Sequence, residues 1–186
     1  LGTDQWLHDS IIDMFLRAYV QHKVPRTHCF STHFCGILLE GELEHGDLAV
    51  EALANSNFDR LRDWSNQADD GIPGVEGLGG LDDLFVPINV GNVHWLFAHV
   101  DFREKSIKLY DSSGQVSPGH RKYLVAIRRY LYDDEFKNTA ANFRPDFDEW
   151  KLNWELKNRS LHSPTQGNGY DCGVFTILSI YLISRG

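Results

Sequence analysis

Near the N-terminus, apolar residues recur at helical spacing. Trp6, Leu7, Ile11, Ile12, Phe15, Leu16 and Tyr19 fall on one face, Thr3 or Asp4 is placed to cap them, and Pro25 ends the region. Cys29 to Thr32 reads as a short strand or an extended lead-in to a second helix at about His33 to Glu40. A third helical pattern, carried by Leu48, Val50, Leu53, Phe58, Leu61 and Trp64, spans about Asp47 to Trp64. The pattern then breaks. Five glycines and five acids between Asp69 and Asp83 predict a loop, the most mobile stretch of the chain.

The middle of the chain is β in character. Leu84 to Val90 predicts a strand, Gly91-Asn92 a two-residue hairpin turn, and Val93 to Phe102 a second strand. Arg103 to Lys105 turns the chain again into Ser106 to Asp111. The long apolar runs of the inner strands predict a sheet covered on both faces. Pro118 opens a helix that continues to about Tyr132. Phe136 to Arg144 fits neither period. Glu149 to Lys157 alternates loosely through Trp150, Leu152, Trp154 and Leu156, as an edge strand would. A turn-rich run, Ser163 to Gly173, then feeds Val174 to Leu182, which is almost wholly apolar and predicts a buried helix. No repeat or linker divides the chain. The expectation is one α+β domain over residues 1–186, a mixed sheet flanked by helices.

Composition narrows the function classes. A chain of 186 residues, 42% apolar and 24% charged, can build a core without metal or disulfide support. Three cysteines, Cys29, Cys35 and Cys172, argue against a disulfide framework and suit a reducing, intracellular setting, nucleus or cytoplasm. Neither Cys-x-x-Cys nor His-x-x-x-His occurs, so no zinc site is expected despite nine histidines. The net charge of −8 speaks against a nucleic-acid partner, and no apolar run reaches membrane-spanning length. Leu1-Gly2 is neither a start methionine nor a signal peptide, which suggests an excised domain. A monomer is expected.

The chemistry concentrates near the C-terminus. Cys172 stands where the turn-rich run meets the apolar helix, so free N–H groups and the positive dipole end would favour its thiolate. Gln166, six residues upstream, carries an amide that can donate to an oxyanion. The plainer reading is a buried structural cysteine beside a surface glutamine. A nucleophilic thiol also needs a base and a group to orient it. His94 opens a central strand and Asp111 ends the next. A hairpin folded about Phe102-Arg103 gives positions summing to 205, which sets His94 directly opposite Asp111, Cβ atoms ~5 Å apart. The alternative is an ordinary strand-end histidine, with Asp111 capping Ser112-Ser113-Gly114. His94, Asp111, Gln166 and Cys172 taken together favour catalysis.

Several blocks, in order, resemble the ubiquitin-like-protein-specific cysteine proteases, which act on SUMO or the neddylation modifier and belong to the adenain-like superfamily. They are Trp6-Leu7-His8-Asp9, Val86-Pro87-Ile88 followed by Val93-His94-Trp95, Tyr110-Asp111-Ser112, and Gln166 with Asn168-Gly169-Tyr170-Asp171-Cys172-Gly173. The resemblance implies a papain-like, adenain-like fold with the nucleophile at a helix N-terminus. It implies His94 as base, Asp111 as its orienter, Cys172 as nucleophile and Gln166 as oxyanion donor. Trp6 and Trp95 would flank the Gly-Gly tail of the substrate, and Asp9 would face the modifier. No cofactor is implied. The partner is a ubiquitin-like modifier and its conjugates, SUMO favoured over the neddylation modifier or ubiquitin. An acetyl-CoA-dependent effector of the same superfamily and a non-catalytic modifier-binding domain are the rival readings. His8 departs from the family's usual Asn, and the chain stops at Gly186, soon after the catalytic helix, where relatives often continue. Bland roles remain for several residues. Strand alternation points Trp95 away from His94, as a core residue, and Trp6 on a helix would also be core. Cys29 and Cys35 are expected as small buried residues, and His28, His33 and His45 at the surface. The Asp69 to Asp83 acids are expected to be solvated.

Overall fold

The computed structural model describes residues 6–41, 46–66, 77–115 and 117–186. Six helices and five strands alternate along it: α1 (Asp9–Leu16), β1 (Thr27–Cys29), α2 (Phe34–Leu38), α3 (Asp47–Leu61), β2 (Asp83–Val90), β3 (His94–Asp101), β4 (Ser106–Tyr110), α4 (Arg121–Glu135), α5 (Phe147–Trp150), β5 (Glu155–Asn158) and α6 (Cys172–Ile183). The strands form one sheet in chain order. Its middle, β2–β3–β4, is an antiparallel meander, and β1 and β5 join its two edges in parallel. This is the expected α+β arrangement, a mixed sheet between helices.

Strand alternation divides the core in two. Leu84, Val86, Ile88, Leu96, Ala98, Val100, Ile107 and Leu109 point to one face, where Phe34, Phe58 and Tyr130 of α2, α3 and α4 cover them. Phe85, Trp95 and Phe97 point to the other, against Ile12 and Leu16 of α1 and Ile177 and Ile180 of α6. A helix apolar on nearly every side, as α6 is, suits a position between the sheet and α1.

Both hairpins differ from the sequence reading. Val90 pairs with His94, so the first connection has three residues, Gly91 to Val93, of which Gly91 and Asn92 are left-handed at φ near 60°. The second is longer. Asp101 pairs with Ser106, and the Asp101 carboxylate accepts the Glu104 N–H at 2.9 Å while Lys108 donates to its other oxygen at 3.0 Å. That local turn centres the hairpin on Arg103-Glu104, and paired positions sum to 207 rather than 205.

Other expectations shift as well. Thr3, Asp4, His45 and residues 69–76 lie outside the described residues. α1 starts at Asp9, capped by the His8 side chain, which accepts the Ser10 N–H; Trp6 and Leu7 precede the helix. His8 thus does the capping work for which Asn is usually favoured. The loop expected up to Asp83 ends earlier, since Leu78–Gly80 is a short helical turn and Asp83 already belongs to β2. Asp83 is not simply solvated: its carboxylate lies 2.7 Å from His99 Nε2. His28, expected at the surface, is buried in β1 and packs edge-on against Phe30. Trp150 and Leu152 lie in helical turns, and of the predicted edge strand only residues 155–157 pair with β4, in a strand that runs on to Asn158. Phe136 to Arg144, which fitted neither period, holds one short helical turn, Ala141–Phe143.

Candidate active site

β3 begins with His94 and β4 ends just before Asp111. In the observed register the ladder stops at Phe97–Tyr110, so the two residues are not directly opposed. They are diagonal neighbours across the end of the ladder. A shift of two preserves the face, where a shift of one would reverse it. Diagonal neighbours lie within reach of a ring and a carboxylate, and His94 Nε2 is 2.7 Å from Asp111 Oδ1. Asp111 is 1% exposed and accepts the Ser113 N–H on the same oxygen at 2.8 Å. Its second oxygen has a neighbour the sequence did not flag, His120 Nδ1 at 3.5 Å, from the turn leading into α4.

With Nε2 committed to Asp111, the other ring nitrogen of His94 is left for Cys172, the first residue of α6, whose thiol hydrogen-bonds the imidazole. Burial works against a thiolate here, since Cys172 is 1% exposed. The His94 hydrogen bond, the Trp95 and Gly173 backbone N–H groups and the charge of His94 outweigh it, and the thiol pKa falls below its ordinary value. Bonds to Asp111 first and Cys172 second hold the proton on His94 against desolvation and raise its pKa to about 9. For Asp111, burial favours the acid, but the His94 bond and the Ser113 N–H win and keep it ionised. The thiol, imidazole and carboxylate therefore stand in line, and the shifts favour alternating charge along it. Cys29 and Cys35, buried as expected, show the contrast: desolvation is the largest influence on each and drives their thiol pKa values far upward.

The loop before α6 is held by its own side chains. Asn168 Oδ1 accepts the N–H groups of Tyr170 and Asp171, and its amide donates to the Asp171 carboxylate at 2.7 Å. Gln166 is tied to the Asp111 turn by two bonds to Ser112. Trp6 donates its indole N–H to Gly169 O at 2.9 Å, and Trp95 donates to Leu7 O at 3.0 Å. The two indoles, with Leu7, His8, Asp9, Asn89, Asn92 and Val93, line a hollow of about 250 Å³. Trp6 is 49% exposed, so it is not the core residue its spacing suggested. Trp95, 5% exposed, lies opposite His94 as alternation required, yet it also borders the hollow and touches the start of α6. Asp9 reaches His8 and lies 3.8 Å from exposed His33.

Among the described residues one group could ligate a cation: Asp83, His99 and Asp101, whose ligand atoms lie within 4.8 Å of one another. Lys108 and Arg103 already supply positive charge to its two carboxylates, and it sits at the end of β3 away from His94. No described helix is long and apolar enough to cross a membrane.

The model of the Ulp1 protease family, C-terminal catalytic domain, matches residues 5–186. The chain belongs to the Ulp1 protease family. It is 28% identical to ubiquitin-like-specific protease ESD4 of Arabidopsis thaliana, covering 100% of this chain and 34% of the relative. Against sentrin-specific protease 2 of Homo sapiens it is 29% identical, covering 100% and 27%. Ubiquitin-like-specific protease 1 of Saccharomyces cerevisiae is 26% identical over 96% of this chain and 23% of that protein. The chain thus spans about a third or less of these Ulp1-family relatives. The crystal structure of the Ulp1 C-terminal protease domain in complex with Smt3, the yeast orthologue of SUMO, superposes with a TM-score of 0.73 at 23% identity, covering 99% of this chain and 68% of that one. At that identity the likeness establishes the fold.

Proposed function

We propose that residues 1–186 are a single catalytic domain, a thiol protease that cleaves after the C-terminal Gly-Gly of a ubiquitin-like modifier, SUMO in the first instance. One observation carries the reading: the His94 ring stands between Asp111 and the Cys172 thiol, which opens α6 at the helix end that favours a thiolate. Membership of the Ulp1 family supplies the reaction class. The thiolate adds to the carbonyl carbon of the last glycine, and the negative charge that develops on oxygen is met by a Gln166 N–H and the free N–H groups of the α6 first turn. Protonated His94 gives its proton to the departing amine as the C–N bond breaks, leaving a thioester. Neutral His94 then takes a proton from water, the hydroxide adds to the thioester, and the C–S bond breaks to release a carboxylate and restore the thiolate. Asp111 orients the ring throughout. Trp6 and Trp95 wall the approach, where a tail without side chains can lie flat, and Asp9 faces the modifier. No cofactor takes part. The setting is intracellular, in nucleus or cytoplasm, where free thiols persist, and the domain acts as a monomer.

A panel of modifiers carrying a C-terminal electrophile tests the reading. SUMO should label the wild type and leave Cys172→Ala unlabelled, although that variant still binds it. Labelling only by the neddylation modifier or ubiquitin would move the substrate assignment. Binding without labelling by any of them would make the domain non-catalytic.

A further inference from the structure

The turn after β4 serves the site twice. It runs from Asp111 to Gly114, closed by the Gly114 N–H on the Asp111 carbonyl at 3.2 Å. Asp111 holds His94. The next residue, Ser112, is bonded twice to Gln166: the Gln166 backbone N–H donates to Ser112 O at 2.8 Å, and the Ser112 hydroxyl donates to Gln166 Oε1 at 2.6 Å. A third bond fixes the polarity of the second. The Asn168 carbonyl can only accept, so the nitrogen of the Gln166 carboxamide must lie on its side, at 2.6 Å. Oε1 therefore faces Ser112, whose hydroxyl must be the donor. A carboxamide nitrogen carries two N–H groups, and a plane pinned at both ends gives the second a single direction. Packing leaves little slack between turn and loop, because a Cβ on Gly114, left-handed at φ 70°, would come within 2.8 Å of Thr165 Cγ2.

We propose that Ser112 is a positioning residue for the oxyanion donor. Its hydroxyl keeps the Gln166 carboxamide from rotating and so keeps an N–H, rather than a carbonyl oxygen, available to the developing charge. The proposal rests on the reading of Gln166 as that donor. An unpinned carboxamide would turn its oxygen toward the oxyanion for part of the time, which is repulsive. The oxyanion exists only after attack, so the loss falls on kcat and spares KM. One neutral hydrogen bond implies a loss of about 3- to 10-fold. Gln166→Ala, which removes the donor itself, should lower kcat by ~10²-fold.

Turnover of a modifier with a fluorogenic C-terminal amide is measured for wild type, Ser112→Ala, Ser112→Thr, Gln166→Ala and the Ser112→Ala/Gln166→Ala double variant. The expected pattern is a drop in kcat alone for Ser112→Ala, recovery in Ser112→Thr, and no further loss when Ser112→Ala is added to Gln166→Ala. Equal losses in both backgrounds, or a change confined to KM, would overturn the proposal, since a merely structural serine costs the same with or without the glutamine. Should Ser112→Ala fail to fold, 15N relaxation of the Gln166 side-chain amide in the wild type decides: an order parameter as high as that of the rigid backbone supports pinning, and one as low as that of a free surface carboxamide refutes it. Absence of wild-type turnover would instead count against the functional reading, while the amide signals still test the positioning.

Discussion

Gly173 is where packing and chemistry can be separated by one methyl group. It is the second residue of α6, and a Cβ there would lie 2.7 Å from Leu7 Cβ and 3.3 Å from Trp95 Cδ1. Carbon atoms pack best at roughly 3.5–4 Å, so Gly173→Ala demands a displacement of about 1 Å. Leu7 Cβ is anchored to its own backbone and cannot swing aside, so the 6–8 segment has to move. That segment carries Trp6 and holds Trp95 through the Leu7 carbonyl. Overpacking of this kind costs about 1–3 kcal/mol, and alanine in a helix returns about 0.5–1 kcal/mol relative to glycine. The net loss of about 0–2.5 kcal/mol should lower Tm by at most about 10 °C in a chain of this size, at about 2–4 °C per kcal/mol. Activity should fall much further, on the order of 10²-fold, because about 1 Å of misplacement at reacting groups has that effect. The assay is kcat/KM on a modifier with a fluorogenic C-terminal amide beside thermal unfolding by circular dichroism. Gly79→Ala, at a position with nothing within 4 Å, is the control. Near-normal turnover with an unchanged or raised Tm would show that Gly173 does not fix the walls of the hollow.

The charge line makes a pH prediction. kcat/KM should rise as pH climbs through the lowered thiol pKa and fall as pH passes about 9, where His94 loses its proton. Asp111→Asn removes the largest support of that proton and should move the alkaline limb down; a limb that stays in place would show that Asp111 does not hold it. Because the folded pKa of His94 lies above its ordinary value of 6.5, its stabilisation of the fold is complete below that pH and fades as pH rises through about 9, which urea unfolding across that window can follow. The two tryptophans should separate: Trp95→Ala leaves a cavity costing about 3–5 kcal/mol and impairs turnover, whereas Trp6→Ala impairs turnover with a stability loss of about 1 kcal/mol. Equal losses of Tm in the two variants would refute that division.

The features legible in the sequence were those written in local period and short motifs. Alternation in β2 and β3 placed Trp95 opposite His94, and the change from turn residues to an unbroken apolar run placed Cys172 at a helix start. The register was misjudged by two because the Asp101 carboxylate captures the Glu104 N–H, a turn that the apolar pattern does not encode. The error was harmless to the site only because it was even. Trp6 was assigned to a helix because its spacing continues that of α1, but His8 caps the helix first. His28 looked polar enough for the surface and is buried because β1, though an edge strand, is packed between β2 and the Arg17–Gln21 helical turn. His120 gave no signal at all, and Ser112 only as the last residue of the Tyr110-Asp111-Ser112 block, with no role attached: a histidine after Pro-Gly and a serine after a turn aspartate are ordinary composition, and their closeness to Asp111 and Gln166 is tertiary.

The pieces of the site come from very unequal distances along the chain. His94 and Asp111 are 17 residues apart within one hairpin, whereas the bond from Trp95 to Leu7 spans 88 and that from Trp6 to Gly169 spans 163. Closing a short loop loses little chain entropy, so the base and its carboxylate can meet early, with the meander. The nucleophile and the tryptophan walls must wait until the two ends of the chain arrive on the same side of the sheet. A nascent chain, or one whose first residues have peeled away while α2, α3 and α4 over the opposite face hold, is therefore expected to be compact, partly ordered and inert. On the proposed function, hydrolysis would report completed assembly, and undocking the few residues that carry Trp6 and Leu7 is expected to silence it.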